Sequence, residues 1–394
     1  MKILFLHPNF PAQFKSPCKE LANDNHEIRF ICQTHYGRSI QGVQKLTIKG
    51  SGGHTALENS KKDELGKMYS RATSYRSAFE ILQEERWMPD VVISHCGWGC
   101  GFYAKEIWPS IPLIAYFEWW FAADSELFRR LRENLNFNFT SISKKSLWQR
   151  NSIMAMELST ADYIIAPTFW QRKQLPPSIR KNCNVLYDRL NTKVFFPDSS
   201  KRSLFPKLTY GTRGMEAMRG FPEFISCLPA LLQKWPTLKV EIAGVDEINY
   251  GGNPPSEGSW GKWAQKAIPL KFKDRVEWKG RMPLEKYAAW LRSSWCHVYL
   301  TEPYVASWSL NEAISSGIKI VATNHESVIE FTKSIKNVKL VNHNCEEALL
   351  EAINSQLRTA DKVFYDTIEI GTCAEKSLAH LVRLVAGDEA NTTV

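Results

Sequence analysis

Four patterns are absent from the 394 residues: Cys-x-x-Cys, Asp-x-Asp, Gly-x-Gly-x-x-Gly and the Walker-type phosphate loop. Without the first there is no zinc-ribbon or thioredoxin-like spacing. The nine cysteines are scattered, and the closest pair, Cys96 and Cys100, is separated by Gly97-Trp98-Gly99 with no second pair to complete a metal site. They read as reduced thiols of a cytoplasmic protein. Without Asp-x-Asp there is no carboxylate pair of the kind that holds a divalent cation against a diphosphate, so no metal and no resident cofactor are expected. The last two absences exclude the usual dinucleotide and P-loop fingerprints. Long apolar runs are missing too. Ile111–Ala123 is too short to span a bilayer and contains Glu118. The run Ile3-Leu4-Phe5-Leu6 stops at His7-Pro8 and reads as a first strand rather than a signal peptide. No repeat or low-complexity tract is visible.

What is present suits a globular enzyme. Hydrophobic residues make up 44%, and the length fits two α/β domains better than one core. The 14 tryptophans offer either buried packing or a surface for a sugar or lipid. A net charge of +9 gathers at Lys144-Lys145 with Arg150, at Arg172-Lys173 with Arg180-Lys181, and at Lys201-Arg202 with Lys207. Such clusters attract an anionic donor or an anionic lipid leaflet, or are simply solvated. No nucleic-acid motif accompanies them, so no nucleic-acid partner is expected.

Short β-branched or aromatic runs alternate with helical patterns, the signature of parallel α/β architecture. In the first half strands are expected at Lys2–Leu6, Ile28–Cys32, Val91–Ser94, Leu113–Tyr116, Tyr163–Ala166 and Asn184–Leu186. Helices are expected at Phe14–Asn23, Met68–Glu85 and Ile142–Ser159. In the last of these, Met154, Met156 and Leu158 read as core. The alternation restarts with strands at Leu208–Tyr210, Lys239–Ala243, Val276–Trp278, His297–Leu300, Lys319–Ala322 and Lys339–Val341. Its helices are expected at Phe221–Lys234, Leu284–Arg292, Ser309–Ser316 and Glu346–Asn354. Phe195–Lys201, rich in Ser and Pro, suits a linker, whereas Ser51–Lys62 and Asn253–Ser259 read as loops. The expected organisation is an N-terminal domain over 1–195, a C-terminal domain over 196–374, and a last segment 375–394 with a helix at Glu375–Val385. The two doubly wound sheets would face each other across a cleft.

Three strand ends carry the chemistry. After the strand ending near Leu300 come Thr301-Glu302-Pro303-Tyr304 and then Ser307-Trp308-Ser309-Leu310-Asn311-Glu312. A Ser at a helix start and its exposed amides make an anion site. One turn on, Glu312 can accept two hydrogen bonds from a ribose diol. After the first strand of the second half, Gly211-Thr212-Arg213-Gly214 and Arg219-Gly220 put two forked guanidiniums among glycines, which suits a diphosphate. Arg219 would offset charge building on a leaving group. In the first half Ser94-His95-Cys96-Gly97-Trp98-Gly99 ends a strand with a His, a group that can orient or deprotonate a hydroxyl or simply support the fold. The segment Tyr116–Phe121 offers either an aromatic acceptor platform or packing. Each pattern alone is equally an ordinary feature of a βαβ unit.

Together these residues resemble the family 4 retaining glycosyltransferases of GT-B fold, in particular a bacterial subgroup with a dedicated N-terminal family-4 domain. The likeness rests on His7-Pro8-Asn9-Phe10-Pro11-Ala12-Gln13-Phe14, Pro89 to Gly99, Tyr116-Phe117-Glu118, Pro167 to Gln171, Arg213 to Gly220 and Ser307 to Ala313. The resemblance implies a hexosyltransferase that moves a sugar from a nucleotide sugar to a hydroxyl acceptor with net retention, in polysaccharide or glycolipid synthesis. Its partners would be a nucleotide sugar and a glycan or lipid-linked acceptor, with peripheral contact at the inner face of the membrane. It also implies that Glu312 binds ribose, that Arg213 and Arg219 bind the diphosphate, that Ser307, Trp308 and Ser309 contribute around the donor, and that His95 lies near the transferred sugar. The last helix would cross back to the first domain. Two departures stand out. Tyr304 occupies the place of the family's first Glu, with Glu302 nearby but out of register, and Arg189 stands where a Gly is usual, pointing to an altered linker or an added phosphate contact. A sugar-nucleotide 2-epimerase and an inactive sugar-nucleotide-binding protein are the competing readings.

Overall fold

The computed structural model describes residues 1–48, 63–137, 139, 143–342, 344–359 and 377–387. The expected loop Ser51–Lys62, the helix starts at Ile142 and Glu375, and Cys373 lie outside the described residues. The chain forms two compact units. One comprises Met1–Ala123, Ile142–Arg189 and Cys373–Val394, and the other Asp124–Ser141 and Leu190–Thr372.

The first unit is a seven-stranded, wholly parallel sheet of β1 (Lys2–Leu6), β2 (Glu27–Cys32), β3 (Val43–Thr47), β4 (Val91–His95), β5 (Leu113–Tyr116), β6 (Tyr163–Ala166) and β7 (Cys183–Val185), in the order β3-β2-β1-β4-β5-β6-β7. Ile3 and Phe5 of β1 enter a core with Phe14, Phe30 and Ile93, and Leu4 and Leu6 enter another with Tyr75, Phe79 and Val92. Alternation along a strand buried on both faces explains why β1 reads as a continuous apolar run. β3 is an edge strand, with three of its five residues polar and none fully buried. In the helix Lys144–Thr160, Met154 and Leu158 are buried four residues apart, while Met156 points outward and is 52% exposed, contrary to the expectation that all three were core. The C-terminal helix Leu378–Val385 joins this unit through Ala379 and Val382. Arg383 donates to Glu20 and Asp24, and Arg189 donates to Glu20 at 2.6 Å. Arg189 therefore closes an ion cluster on the helix Lys15–Asn23 and is not turned to a phosphate.

The second unit is a six-stranded parallel sheet of β8 (Lys207–Gly214), β9 (Lys239–Val245), β10 (Val276–Gly280), β11 (Cys296–Tyr299), β12 (Lys319–Thr323) and β13 (Val338–Val341), in the order β10-β9-β8-β11-β12-β13. Its helices include Phe221–Lys234, Trp260–Ala267, Leu284–Arg292, Trp308–Ser315, Glu326–Thr332 and Glu346–Arg358. The helix Glu126–Glu133 also belongs here, although its sequence neighbours on both sides belong to the first unit. This differs from the expected division at 195/196. Residues 190–195 pack with the second unit too, Phe195 meeting the ring of Tyr287 with centroids 6.1 Å apart.

Candidate active site

Both strand orders reverse direction once, between β1 and β4 in the first sheet and between β8 and β11 in the second. At such a switch point the loops leaving the two central strands diverge and open a crevice at the carboxyl edge of the sheet. The candidate residues stand at these two places.

In the second unit β8 ends in an irregular pairing with β9 between Gly211 and Gly214. A Cβ at Gly214 would come within 2.4 Å of the carbonyl oxygen of Glu247, so glycine is required by the backbone approach. Arg213 is exposed at this strand end. The short turn Ala217–Arg219 follows and closes on Gly220 in the left-handed region, φ 61°. Glu216 is fully buried, and its Oε2 accepts the backbone N–H groups of Asn249 and Tyr250 at 3.0 and 2.8 Å. Burial raises its carboxyl above the ordinary range against these hydrogen bonds and the nearby Arg219 and Arg213. Arg219 itself is 8% exposed and donates to Thr301 Oγ1 at 2.9 Å, with its guanidinium 4.6 Å from the ring centre of Tyr250. Burial opposes its charge, but Tyr299, Tyr250 and Glu216 outweigh that and hold it firmly cationic.

From β11 the chain runs through Thr301 and Glu302, both buried, to Tyr304, whose ring meets that of Tyr250 edge-on at 5.7 Å. Glu302 is not a group offered to a ligand. Its carboxylate accepts from Asn134 at 2.7 Å and lies 3.5 Å from Arg130. Ser307 precedes the helix Trp308–Ser315 in extended conformation, as an N-cap must, but its hydroxyl lies 2.7 Å from that of Ser309 and does not cap the helix as expected. Trp308 is half exposed. Glu312, one turn into the helix, is half-buried, and its carboxylate forms no hydrogen bond or ion pair with a described residue. Desolvation raises its pKa to about 7. A desolvated carboxyl with no protein donor can accept paired hydroxyls from a ligand.

In the first unit His95 ends β4 and is 1% exposed, enclosed by His7, Trp98 and Tyr116 with ring centres 4.9, 6.4 and 5.4 Å away. Its Nε2 lies 3.5 Å from Glu118 Oε2, and Gln13 donates to the other oxygen of Glu118 at 2.9 Å. Although burial opposes ionisation of Glu118, hydrogen bonds from His95 and Gln13 and the charge of Arg150 prevail and keep its pKa low. His7 is pushed well below the usual histidine range by burial first and by the neighbouring His95 second, so it is neutral. Tyr116, Phe117 and Trp119 are buried, which assigns most of the aromatic segment to packing, and the Tyr116 hydroxyl donates to Asp188. Trp120 and Phe121 are only partly buried, and Phe121 is held firmly in place. Asn151 holds its backbone at both N–H and C=O, and Arg150 covers its ring at 4.0 Å.

Sequence reasoning brought Arg219, Tyr304, Ser307 and Glu312 to one switch point and His95 to the other. It missed Glu118 as a charged partner of His95, and it missed Glu216, Asn249 and Tyr250, which frame Arg219. Only the Tyr-Phe-Glu match pointed at Glu118, and the loop Asn249-Tyr250 carries no local pattern. Among the described residues no group of three His, Cys, Asp or Glu side chains could hold a metal ion. No described helix is long and apolar enough to cross a membrane.

Residues 24–195 match the model of the glycosyl transferase family 4 group. No curated protein matches the chain by sequence. Solved structures match it over its length. Sucrose-phosphate synthase from Thermosynechococcus elongatus is 13% identical, with 99% of this chain and 97% of that one covered and a TM-score of 0.66. HepE from Anabaena, in complex with UDP-glucose, is 13% identical over all of both chains with a TM-score of 0.65. The catalytic domain of starch synthase IV from Arabidopsis thaliana, bound to ADP and acarbose, is 10% identical over 98% of each chain with a TM-score of 0.65. At these identities the likeness is one of fold.

Proposed function

We propose that the protein is a glycosyltransferase that moves a sugar from a nucleoside diphosphate sugar to a glycan or lipid-linked hydroxyl with retention and without a metal, a reading supported by the match of residues 24–195 to the glycosyl transferase family 4 group and by the GT-B fold. The observation that carries this reading is that the segments following the two central strands β8 and β11 carry a buried cation, Arg219, and a desolvated carboxyl without a protein donor, Glu312. A nucleoside diphosphate presents the complement, an anionic diphosphate and a ribose diol. That HepE was solved with UDP-glucose and starch synthase IV with ADP supports this ligand class.

In this reading Glu312 accepts the ribose hydroxyls and Arg219, with the more exposed Arg213, meets the diphosphate. The bond from the anomeric carbon to the phosphate oxygen breaks, and the electron pair leaves with the diphosphate, where Arg219 offsets the added charge. Retention requires the acceptor oxygen to enter on the same face, so the departing phosphate oxygen takes its proton. His95, aligned by Glu118, is the candidate group for the sugar or acceptor at the switch point of the first unit. Tyr304, Ser307, Trp308 and Ser309 line the donor loop. Support for a metal-free clamp is the cationic set itself, the buried Arg219 with the exposed Arg213.

A lipid-linked acceptor fits two surface features of the first unit. Trp148 is 78% exposed on the helix that begins with the exposed Lys144 and Lys145, an amphipathic combination suited to an anionic leaflet. A cavity of about 320 Å³ is lined by Phe169, Arg172, Lys173, Pro177, Arg180 and Lys181. The protein is thus read as cytoplasmic and peripheral at the inner membrane face.

The test is a panel of nucleotide sugars offered to purified protein, with release of nucleotide followed with and without glycan and polyprenyl-phosphate-linked acceptors. Acceptor-dependent release and a glycosylated product are expected. An isomerised donor without transfer would mean an epimerase, and binding without turnover would mean a non-catalytic protein.

A further inference from the structure

The helix Glu126–Glu133 buries Leu127, Phe128 and Leu131 in the second unit. Glu126, Arg130 and Asn134 recur at every fourth residue and share the adjacent side. Each reaches a loop that follows β11 or β12. Glu126 lies 3.2 Å from His325 after β12, while Arg130 and Asn134 both meet Glu302 after β11. Asn134 is held in turn, its own oxygen accepting the N–H groups of Asn136 and Phe137 at 3.0 and 3.2 Å. Glu302 is fully buried, and its N–H donates to the carbonyl of Met218, the residue before Arg219, at 2.9 Å. Thr301 Oγ1 donates to the Glu302 carbonyl at 2.9 Å while accepting from Arg219.

We propose that Glu302, anchored by Asn134 and Arg130, is a positioning residue that fixes Arg219 for the departure of the diphosphate. The path has three short links, from Asn134 to Glu302, to Thr301 and to Arg219. Burial of the Glu302 carboxylate demands partners, and the helix supplies them. This makes the segment between Asp124 and Phe137 part of the donor site: Glu302 holds the loop and leaves the ligand to others. The inference rests on the role given to Arg219 above.

A double-mutant cycle tests it. Asn134→Ala in the otherwise native enzyme is expected to lower kcat about tenfold, as small misplacements of a charged group do, with nucleotide affinity within about twofold. In an Arg219→Ala background the same change is expected to cost under about twofold. Glu302→Gln keeps the acceptor for Asn134 and is expected to retain most of kcat, whereas Glu302→Ala is not. An equal loss in both backgrounds would show that Asn134 does not act through Arg219 and would overturn the proposal. Amide hydrogen exchange at 217–220 and 301–304 gives a readout that needs no turnover. Faster exchange confined to these loops in Asn134→Ala, at unchanged melting temperature, supports positioning even where the wild type transfers no sugar, a result that would count against the functional reading instead. Unchanged exchange at both loops overturns it.

Discussion

If Glu312 binds the ribose as proposed, lowering the pH from 8 to 6 should weaken binding of a nucleotide sugar about tenfold. The folded pKa of Glu312, about 7 and raised by desolvation, means that the free protein is mostly ionised there at pH 8 and mostly protonated at pH 6. A ribose diol donates to the carboxylate, so it binds the ionised form and lowers the pKa of that group. Below pH 7 the free protein must shed its proton to bind, which costs about 1.4 kcal/mol for each pH unit. The nucleotide sugar is the right probe because its diphosphate is esterified at both ends and does not titrate between pH 6 and 8. Isothermal titration calorimetry in two buffers of different ionisation enthalpy counts the protons directly, about one released per site at pH 6 and almost none at pH 8. Glu312→Gln should abolish the pH step. It should also weaken binding at pH 8 by about 1.5–3 kcal/mol, the worth of hydrogen bonds to a charged acceptor. Affinity flat from pH 6 to 8 without proton release, or a Gln variant that binds like the wild type at pH 8, would refute the ribose role.

Glu157 gives a stability counterpart. It is fully buried, accepts the Gly101 N–H at 3.2 Å, and burial raises its pKa to about 7 from 4.5. The folded state therefore holds a proton that the unfolded state lacks, and stability falls as pH rises from 4.5 through 7. Glu157→Gln keeps the acceptor and removes the charge, so urea unfolding should show a gain of about 1–3 kcal/mol at pH 8 and little at pH 4. Gly220→Ala places a Cβ 2.5 Å from that of Leu300 at φ 61°. A loss of about 1–3 kcal/mol in the same assay is expected, and an unchanged midpoint would contradict the steric argument. Chelation should leave the initial rate within about twofold if, as proposed, a guanidinium clamp supplies the electrostatic stabilisation otherwise given by a metal. A strict requirement for magnesium would remove the metal-free clamp.

Strand positions were legible wherever both faces are buried. β1, β5 and β6 read to the residue, since a doubly covered parallel strand is apolar throughout. β3 was not, because an edge strand of sequence Val-Gln-Lys-Leu-Thr buries too little to mark itself. Helix Trp260–Ala267 escaped notice because its cap, Ser259 accepting from Lys262 N–H at 3.3 Å, sits at the end of a Pro- and Gly-rich loop. Helix Glu126–Glu133 has its amphipathic stripe in eight residues, too short for the period to declare itself. The same limit hid the domain boundary. A reader of sequence assigns a segment to the sheet on either side of it, whereas the partners of Arg130 and Asn134 lie well over 160 positions away.

The residues that sequence reasoning left ambiguous were decided by burial and by partners. His95, Glu302 and Glu312 are all candidate acids or bases by type, yet their surroundings separate them. Glu302 spends its oxygens on Asn134 and Arg130 and lies beyond solvent, so it acts on the loop. His95 is tied to Glu118 inside a ring of aromatic residues, which fixes its orientation. Glu312 alone of the three has neither a protein donor nor full burial, and desolvation has moved its pKa to where a ligand's hydroxyls can move it back. No residue motif could have made that distinction. The strand order could, because a switch point gathers the loops after β8 and β11 whatever their sequences are. The absent Asp-x-Asp and glycine-rich fingerprints are then no obstacle to the proposed anion site: parallel topology offers a place for it, and Arg219 offers a charge.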